Sequence, residues 1–415
     1  MTRLLAVLGS LTGLANTING YRPLSKRGYP SLYAFAFGVF ATELPLHLIA
    51  AQSALLAAVS RRLPRRARAI SWLVSAVSWI GLLGLDRLGR NANQPLTAAL
   101  DAELGPDRRT GSEGLWAPPS GVAAIAPSGA VRMMRIYRDY AADADIAYGE
   151  FGARNTLDVW RHRDLPRNGR APVLVQIPGG AWMVGSKRGQ AHPLMTHLVE
   201  RGWVCVSINY RLSPRSTWPD HIIDVKRALA WTKAHIADYG GDPDWVAVTG
   251  GSAGGHLCAL AALTAGDPRF QPGFVDADTS VRAAVPFYGI YDFTGEVDLH
   301  PLLTPSLSTY VFKQSRRQFP DTYRAASPMA YVRPDAPPFF ILHGSNDSLV
   351  PVEQARAFSA RLRDTSTSPV VYAELPEAQH AFDIFGSPRA AHTAVAVEQF
   401  LAEVYAPHAA GLRGA

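Results

Sequence analysis

Short apolar runs alternate with longer amphipathic stretches from about residue 130 to the end of the chain. The runs are rich in β-branched residues and predict strands, whereas stretches with a 3.6-residue period predict helices. Strands are expected at 156–161, 172–177, 203–209, 245–249, 282–287, 338–343 and 370–374. Helices are expected at 190–201, 218–237, 253–265, 353–363 and 388–404. This alternation predicts an α/β fold with a mostly parallel sheet flanked by helices, whose functional site lies at the carboxyl ends of the strands.

The first 104 residues follow a different pattern and predict a hydrophobic helical extension. Residues 31–60 have Glu43 and His47 as their only acidic, basic or histidine side chains, with Pro45 between them, and residues 69–85 are uncharged. Both runs are candidate membrane helices, although helices that pack on the rest of the protein or lie in the membrane interface fit the same pattern.

A segment rich in glycine, proline and serine follows the extension. Residues 105–129 contain the sequence Ala-Pro-Pro-Ser-Gly and are expected to form a linker. Residues 130–415 then form the second domain. Its two cysteines, Cys205 and Cys258, lie in apolar surroundings and are expected to be small core residues. No disulfide, metal site or cofactor is expected.

Positive charge is concentrated in the extension. The chain has a formal net charge of +7, and its first 70 residues contain nine arginines and lysines but one acid. Residues 71–415 are therefore nearly neutral, and no nucleic-acid partner is expected. The arginine-rich residues 61–68 resemble loops that stay on the cytoplasmic side of a membrane. We expect membrane association, with the second domain outside the cytoplasm; a cytoplasmic location is the alternative.

A serine between glycines lies where a predicted strand meets a predicted helix. The sequence of residues 250–255 is Gly-Gly-Ser-Ala-Gly-Gly. Glycines two before and two after Ser252 permit the sharp turn that exposes a nucleophilic serine above a sheet. A glycine-rich turn with an incidental serine fits the local pattern too, so the partners of Ser252 decide between the two interpretations.

A serine nucleophile needs a histidine base and an acid that orients the histidine. Asp347 follows one late strand and His380 follows the next, so both are expected at the same sheet edge as Ser252. His256 and His343 are also near in sequence, but the first lies on the helix behind Ser252 and the second precedes the acid in its strand. The order Ser252, Asp347, His380 favours His380 as the base.

Backbone donors and aromatic side chains complete the predicted site. Gly179 and Gly180 end an early strand, and their N–H groups, with that of Ala253, are expected to bind an oxyanion. Residues 292–331 break the alternation, with a helix expected at 306–318, and are expected to form a cap. Core packing is the alternative for each aromatic residue expected to line the substrate pocket: Trp182, Tyr288, Tyr291, Phe293 and Tyr310.

From about residue 157 to 401 the sequence resembles α/β-hydrolase esterases of the hormone-sensitive-lipase type. These include mycobacterial Lip-type esterases with hydrophobic N-terminal extensions. The matching segments are Pro-Gly-Gly-Ala-Trp at 178–182, Asn-Tyr-Arg-Leu-Ser-Pro at 209–214, Gly-Gly-Ser-Ala-Gly-Gly at 250–255, His-Gly-Ser-Asn-Asp at 343–347 and Gln-His-Ala-Phe at 379–382. Pro178 and Ala181 replace a histidine and a glycine that are usual in the family.

The resemblance implies a serine carboxylesterase that needs no cofactor or metal. Its substrates would be uncharged carboxylic esters of short to medium acyl chains, cleaved through an acyl-enzyme on Ser252. Two alternatives stay open at this point. One is a serine peptidase or amidase on the same fold, and the other is a hydrolase-fold binding protein that has lost its chemistry.

Overall fold

The computed structural model describes residues 2–108, 115, 117, 139–140 and 143–414. Most of the predicted linker, residues 105–129, and the first residues of the predicted second domain lie outside these ranges. These residues form two connected parts, a helical extension and an α/β part, and the candidate site lies where they meet.

One eight-stranded sheet forms the centre of the α/β part. Its strands are β1 (Asp143–Ala147), β2 (Thr156–Trp160), β3 (Ala171–Ile177), β4 (Val204–Ile208), β5 (Gly241–Gly251), β6 (Ala283–Phe287), β7 (Phe339–Gly344) and β8 (Val370–Leu375). The spatial order is β1-β2-β4-β3-β5-β6-β7-β8, and only the β1–β2 and β2–β4 pairs are antiparallel. The predicted, mostly parallel sheet is therefore confirmed.

All seven predicted strands are present, and β1 is the one that the pattern missed. Its sequence, Asp-Ala-Asp-Ile-Ala, carries two acids and is half exposed, because β1 is an edge strand that pairs only with β2. The central strands β3 and β4 are buried at every position, which is why they consist of nearly continuous apolar residues. Each fully buried valine or isoleucine in them stabilises the fold by about 1.5–3 kcal/mol.

Helices cover the sheet and fill the connections between strands. In the α/β part they are α6 (His192–Val199), α7 (Asp220–His235), α8 (Ala253–Leu263), α9 (Leu303–Ser306), α10 (Pro320–Ala326), α11 (Glu353–Thr365) and α12 (Pro388–Gly414). The cap segment between β6 and β7 contains α9, a π-helical turn at Leu307–Val311, and α10. The helix predicted at 306–318 ends at Val311, since Lys313 takes a positive φ of 53° that a right-handed helix does not allow.

The extension contains α1 (Thr2–Tyr21), α2 (Pro30–Glu43), α3 (Pro45–Ser60), α4 (Arg65–Arg90) and α5 (Asn93–Leu104). Residues 31–60 are not one helix, because α2 and α3 meet at an angle of 98°. Leu44 leaves the helical region (φ −129°, ψ 42°) because a residue before proline is disfavoured there, and Pro45 starts α3. The uncharged run 69–85 lies inside the longer α4.

The extension and the α/β part share a hydrophobic core. Leu96 and Leu100 of α5 are buried in the same apolar cluster as Trp203, Phe340 and Val371, which belong to the sheet and its flank. Helix α5 packs against β8 and α12. The extension is thus joined to the α/β part by packing as well as by the chain.

Candidate active site

Ser252 occupies a strained turn between β5 and α8. Its φ of 58° and ψ of −120° are unusual for a residue with a Cβ and are typical of functional positions that the surrounding structure enforces. A Cβ on Gly250 would lie 2.5 Å from the oxygen of Gly254, and a Cβ on Gly254 would lie 2.1 Å from the oxygen of Ile177. The turn that holds Ser252 at the end of β5 therefore requires glycine at both positions.

Asp347 and His380 form a short hydrogen bond close to Ser252. Asp347 Oδ2 lies 2.6 Å from His380 Nδ1, and Asp347 Oδ1 accepts hydrogen bonds of 2.8 Å from the N–H groups of Leu349 and Val350. Burial acts to raise the pKa of Asp347, but the charge on His380 and hydrogen bonds from His343 and His380 outweigh burial and hold this pKa well below its usual range. Asp347 is therefore an ionised partner for His380.

The two other candidate histidines, His256 and His343, are buried and make other polar contacts. His256 Nδ1 accepts a hydrogen bond of 3.1 Å from Trp182 Nε1, and its Nε2 lies 2.7 Å from the oxygen of Ala326. Burial lowers the pKa of His256 to about 4, so it stays neutral at neutral pH. His343 is buried, and its Nε2 lies 3.2 Å from Asp347 Oδ2 and 3.1 Å from the oxygen of Val350. Of the three histidines, only His380 lines the cavity that contains Ser252.

That cavity has a volume of about 330 Å³, near the lower end of the range for small-molecule sites. Ser252, His380, Ala181 and Trp182 all line it. The cap segment and the turn after Asp347 supply apolar walls. The residues that do so are Leu302, Leu303, Leu307, Val311, Leu349 and Val350.

The extension supplies the remaining wall, which sequence reasoning missed. Tyr29, at the start of α2, and Leu32, in its first turn, line the same cavity. The ring of Phe35 meets the ring of His380 edge to face, with 5.8 Å between the centroids. One residue in the sequence could have indicated that α2 packs on the α/β part. Glu43 is an acid inside an apolar run, and such a residue needs a protein partner when it leaves water.

Of the five predicted aromatic residues, one lines the cavity and the other four do not. Trp182 lines the cavity and is otherwise buried. Tyr288 packs on His380, with 4.5 Å between ring centroids, and donates a hydrogen bond to Asp383. Tyr291 differs from the prediction, because its ring is buried and stacks on Phe358 at 4.3 Å in the core.

The other two predicted aromatic residues also lie away from the cavity walls described above. Phe293 is buried and packs on the rings of Trp182 and His256, at centroid distances of 5.7 and 4.9 Å. Tyr310 lies in the π-helical turn and is 45% exposed. Core packing is thus the outcome for Phe293, and Tyr310 faces solvent.

The loop that carries two of the predicted oxyanion donors, Gly179 and Gly180, adjoins the cavity through Ala181. The N–H of Gly179 donates a hydrogen bond of 2.7 Å to Gln190 Oε1, so this N–H already has an acceptor. Gly180 has a φ of 126°, and a Cβ there would lie 2.3 Å from the oxygen of Val184. Ala181 follows with a φ of 53° and lines the cavity. The oxyanion role of Gly179, Gly180 and Ala253 stays a prediction, and of these three residues Gly179 already has a side-chain acceptor for its N–H.

Among the described residues, no group of three or more histidine, cysteine, aspartate or glutamate side chains is arranged to hold a metal ion. Cys205 and Cys258 are both buried free thiols. Burial raises the pKa of each well above its usual value, so neither is a thiolate at neutral pH.

The sheet order, the serine at the β5–α8 turn and the later Asp347–His380 pair define an α/β-hydrolase. Comparisons with known proteins agree with this class. Residues 157–362 match the family described as BD-FAE. The chain is 62% identical over 406 residues to the probable carboxylic ester hydrolase LipM of Mycobacterium tuberculosis, covering 98% of this chain and 94% of that relative. It is 47% identical over 384 residues to the esterase LipQ of the same organism, covering 91% and 86%.

Among solved structures, the apo form of Thermogutta terrifontis esterase 2 aligns with a TM-score of 0.52 at 25% identity, covering 62% of this chain and 91% of that one. The same esterase phosphonylated by sarin aligns with a TM-score of 0.52 at 26% identity, with the same coverage. The chain belongs to the mycobacterial Lip family of carboxylic ester hydrolases. It is an enzyme that hydrolyses carboxylic esters.

Proposed function

We propose that the enzyme works through an acyl-enzyme on Ser252. Ser252 Oγ attacks the ester carbonyl while His380 Nε2 takes its proton, and Asp347 holds the imidazole through Nδ1. The N–H groups of Gly180, Ala181 and Ala253 bind the oxyanion of the tetrahedral intermediate. When the intermediate collapses, His380 returns the proton to the leaving alcohol, and a water molecule activated by His380 then hydrolyses the acyl-serine.

The observation that carries this proposal is the 2.6 Å contact between Asp347 Oδ2 and His380 Nδ1 beside the cavity that contains Ser252. The apolar walls and the modest volume of the cavity favour uncharged esters of short to medium acyl chains. An amidase or peptidase is the nearest alternative, because the same groups cleave amides. No observation on the cavity favours it over an esterase.

Hydrolysis of a panel of p-nitrophenyl esters by single variants tests the mechanism. Ser252→Ala and His380→Ala should each lower kcat by about 10⁴-fold or more, since they remove members of one catalytic unit. Ser308→Ala changes a half-buried cap serine whose hydroxyl donates a hydrogen bond to the oxygen of Pro305, and this variant should keep wild-type rates. Unchanged hydrolysis by Ser252→Ala contradicts the proposal. Faster cleavage of p-nitroanilides than of matched esters would favour the amidase.

We propose further that helices α1, α3 and α4 are embedded in a lipid bilayer. Their burial pattern is the reverse of that in a water-soluble bundle. The buried stripe of α4 consists of Ser71, Ser75, Ser78, Leu82, Leu85 and Gly89. The large side chains of α4 that are exposed are Ile70, Trp72, Leu73, Val77, Ile80 and Leu83. Small polar residues between helices and large apolar residues outside are typical of helices packed in lipid.

Hydrogen bonds between polar side chains join these helices inside the bundle. Thr17 Oγ1 lies 2.8 Å from Ser78 Oγ, and Ser75 Oγ donates to Ser10 Oγ at 3.1 Å. Trp79 Nε1 donates to the side chain of Gln52 at 3.0 Å. These contacts satisfy the polar groups that hydrocarbon would leave without partners. They therefore fit a bundle that is surrounded by lipid.

Length and charge indicate how the bundle lies in the bilayer. By length and composition, the Arg65–Leu104 segment is able to cross a membrane. Helices α2 and α3 form a second candidate only if the bent pair is taken as one span. The 26 residues of α4 span about 39 Å, which exceeds the hydrocarbon thickness of about 30 Å. The arginine-rich residues 61–68 comprise the connection from α3 and the first turn of α4, whereas the other end of α4 leads to α5, which packs on the α/β part. A cytoplasmic loop would place the hydrolase on the other side of the membrane.

Membrane fractionation of cells that express the full chain tests this arrangement. The protein should stay in membranes after alkaline carbonate extraction, and a double variant, Leu73→Glu with Ile80→Glu, should lower the retained fraction. Phe319→Glu, which changes an exposed apolar residue of the cap region, is the matched control and should leave retention unchanged. A wild-type chain that is wholly released by carbonate contradicts the proposal.

Thiol labelling of single-cysteine positions tests the orientation. A membrane-impermeant reagent should label Arg62→Cys only after the cells are permeabilised, and it should label Asp321→Cys in intact cells.

A further inference from the structure

The ester cavity is built partly by a helix that lies outside the hydrolase sheet. Tyr29 and Leu32 line it together with Ser252 and His380. We infer that helix α2 is a specificity-determining wall of the ester site, in which Leu32 and Tyr29 set the size of the ester that reaches Ser252. This inference rests on the proposed role of Ser252 as nucleophile.

The first turn of α2 is fixed to the loops that carry the catalytic groups. Ser31 Oγ lies 2.9 Å from His300 Nε2, and His300 itself lines the cavity. The oxygen of Ser31 accepts a hydrogen bond of 3.4 Å from the hydroxyl of Ser348, the residue after Asp347. Both serines are buried. The position of Leu32 relative to the catalytic carboxylate is therefore set by direct contacts.

The middle of α2 lies close to the turn that carries His380. A Cβ on Gly38 would lie 3.3 Å from Gln379 Nε2 and 2.9 Å from Asn19 Nδ2, so glycine permits this close approach. Phe35, one turn earlier, meets the ring of His380. The helix thus packs over the catalytic histidine.

The end of α2 is fixed by a buried ion pair. The carboxylate of Glu43 contacts the guanidinium of Arg389 and accepts a hydrogen bond of 2.7 Å from Ser387 Oγ. Phe40 packs on Phe385 nearby, with 5.4 Å between ring centroids. Because both ends of the helix are anchored, α2 acts as a fixed wall and its side chains hold constant positions in the cavity.

Leu32 and Tyr29 stand at the mouth of the cavity, since they are 44% and 72% exposed although they line it. Tyr33 and Phe37 on the same helix are 68% and 58% exposed and do not line it. Helix α2 is turned by 98° from α3, so it lies across the end of the bundle. In the proposed membrane arrangement α2 runs along the bilayer surface. An ester dissolved in lipid then enters the site past Leu32, which favours hydrophobic esters as substrates.

Chain-length profiles of the full-length, detergent-solubilised enzyme test the inference. The profile is the ratio of kcat/KM for p-nitrophenyl octanoate to that for p-nitrophenyl acetate. Leu32→Trp narrows the mouth and should lower this ratio about tenfold, because one or two methylenes in an apolar pocket discriminate by such factors. Leu32→Ala and Tyr29→Ala widen the mouth and should raise the ratio at least threefold. Phe37→Ala, on the same helix but outside the cavity, should keep the wild-type ratio.

Two measurements, the labelling of Ser252 and the chain-length ratio, distinguish a failure of this inference from a failure of the proposed mechanism. Each variant is treated with a small fluorophosphonate, and the extent of Ser252 labelling is measured. A wild-type enzyme that is not labelled at Ser252 overturns the proposed mechanism. Labelling at the wild-type rate in all Leu32 and Tyr29 variants, with ratios that stay within twofold of wild type, overturns the role of α2 and leaves the mechanism intact. Because one variant narrows the mouth and two widen it, a folding defect in one of them does not remove the test.

Discussion

Glu43 of helix α2 and Arg389 of helix α12 form an ion pair that is almost completely buried, with side-chain exposures of 0% and 1%. The two residues are 346 positions apart in the chain. An isolated carboxylate in an apolar helix is costly in lipid and in a protein core. The pair therefore explains why an acid interrupts the apolar run, and it shows that α2 faces protein on this side.

Removal of Glu43 should destabilise the protein strongly. Glu43→Ala leaves Arg389 buried without its partner, and breaking a buried pair in this way costs about 3–5 kcal/mol of unfolding free energy. Asp86→Ala breaks the more exposed pair with Arg90 on α4 and is the matched control. Thermal melting in detergent should show a large decrease in the midpoint for the first variant and little change for the second. Equal, small decreases in both would indicate that α2 is only loosely attached.

The ionised form of Asp347 should contribute both to kcat and to the free energy of unfolding. Asp347→Asn removes the acceptor that fixes the His380 tautomer and should lower kcat by about 10⁴-fold. Because folding lowers the pKa of Asp347, its ionised form stabilises the protein above the unfolded-state pKa of about 3.9, and this contribution is lost as the pH falls below that value.

The stability difference between wild type and Asp347→Asn should therefore be constant from pH 5 to 8 and shrink below pH 4. Urea unfolding at several pH values measures it, with Asp364→Asn on α11 as the exposed control. A difference that persists unchanged at pH 3 would mean that Asp347 is not held ionised by His380 and His343.

The contact between Gln190 and Gly179 distinguishes two versions of the oxyanion site. If Gly180 and Ala181 are the donors, Gln190→Leu leaves the Gly179 N–H unpaired and displaces the loop, and kcat should fall by about 10- to 100-fold with little change in KM. Gln190→Glu keeps an acceptor and should retain most of the activity. If Gly179 were itself a donor, Gln190→Leu would release its N–H and raise kcat. Steady-state kinetics of the two variants decide between these outcomes.

The sheet and the positions of the loops that carry Ser252, Asp347 and His380 could be predicted from local patterns and the order of the elements. A β-branched run is recognisable without its neighbours, and the glycines around Ser252 are required by the turn itself. Asp347 and His380 follow late strands, and the carboxyl ends of parallel strands meet at one edge. These rules depend on the order of elements and require no knowledge of individual contacts.

The parts that the sequence did not predict depend on contacts between distant segments. An apolar helix has the same pattern whether it faces lipid or a protein surface, so the pattern of residues 31–60 left both arrangements open for α2. The N–H of Gly179 donates a hydrogen bond to the side chain of Gln190, eleven residues later, and the local sequence pattern does not indicate this contact. Tyr291 was assigned to the pocket, but its ring stacks on Phe358, which lies on another helix.

Mass spectrometry of the intact, detergent-solubilised enzyme after reaction with a fluorophosphonate tests the central claim most directly. The account predicts one covalent adduct per chain, mapped to the peptide that contains Ser252. The adduct should be absent in Ser252→Ala and should form far more slowly in His380→Ala than in wild type. An adduct on another residue, or equal labelling of wild type and Ser252→Ala, would contradict the claim that Ser252 is the nucleophile.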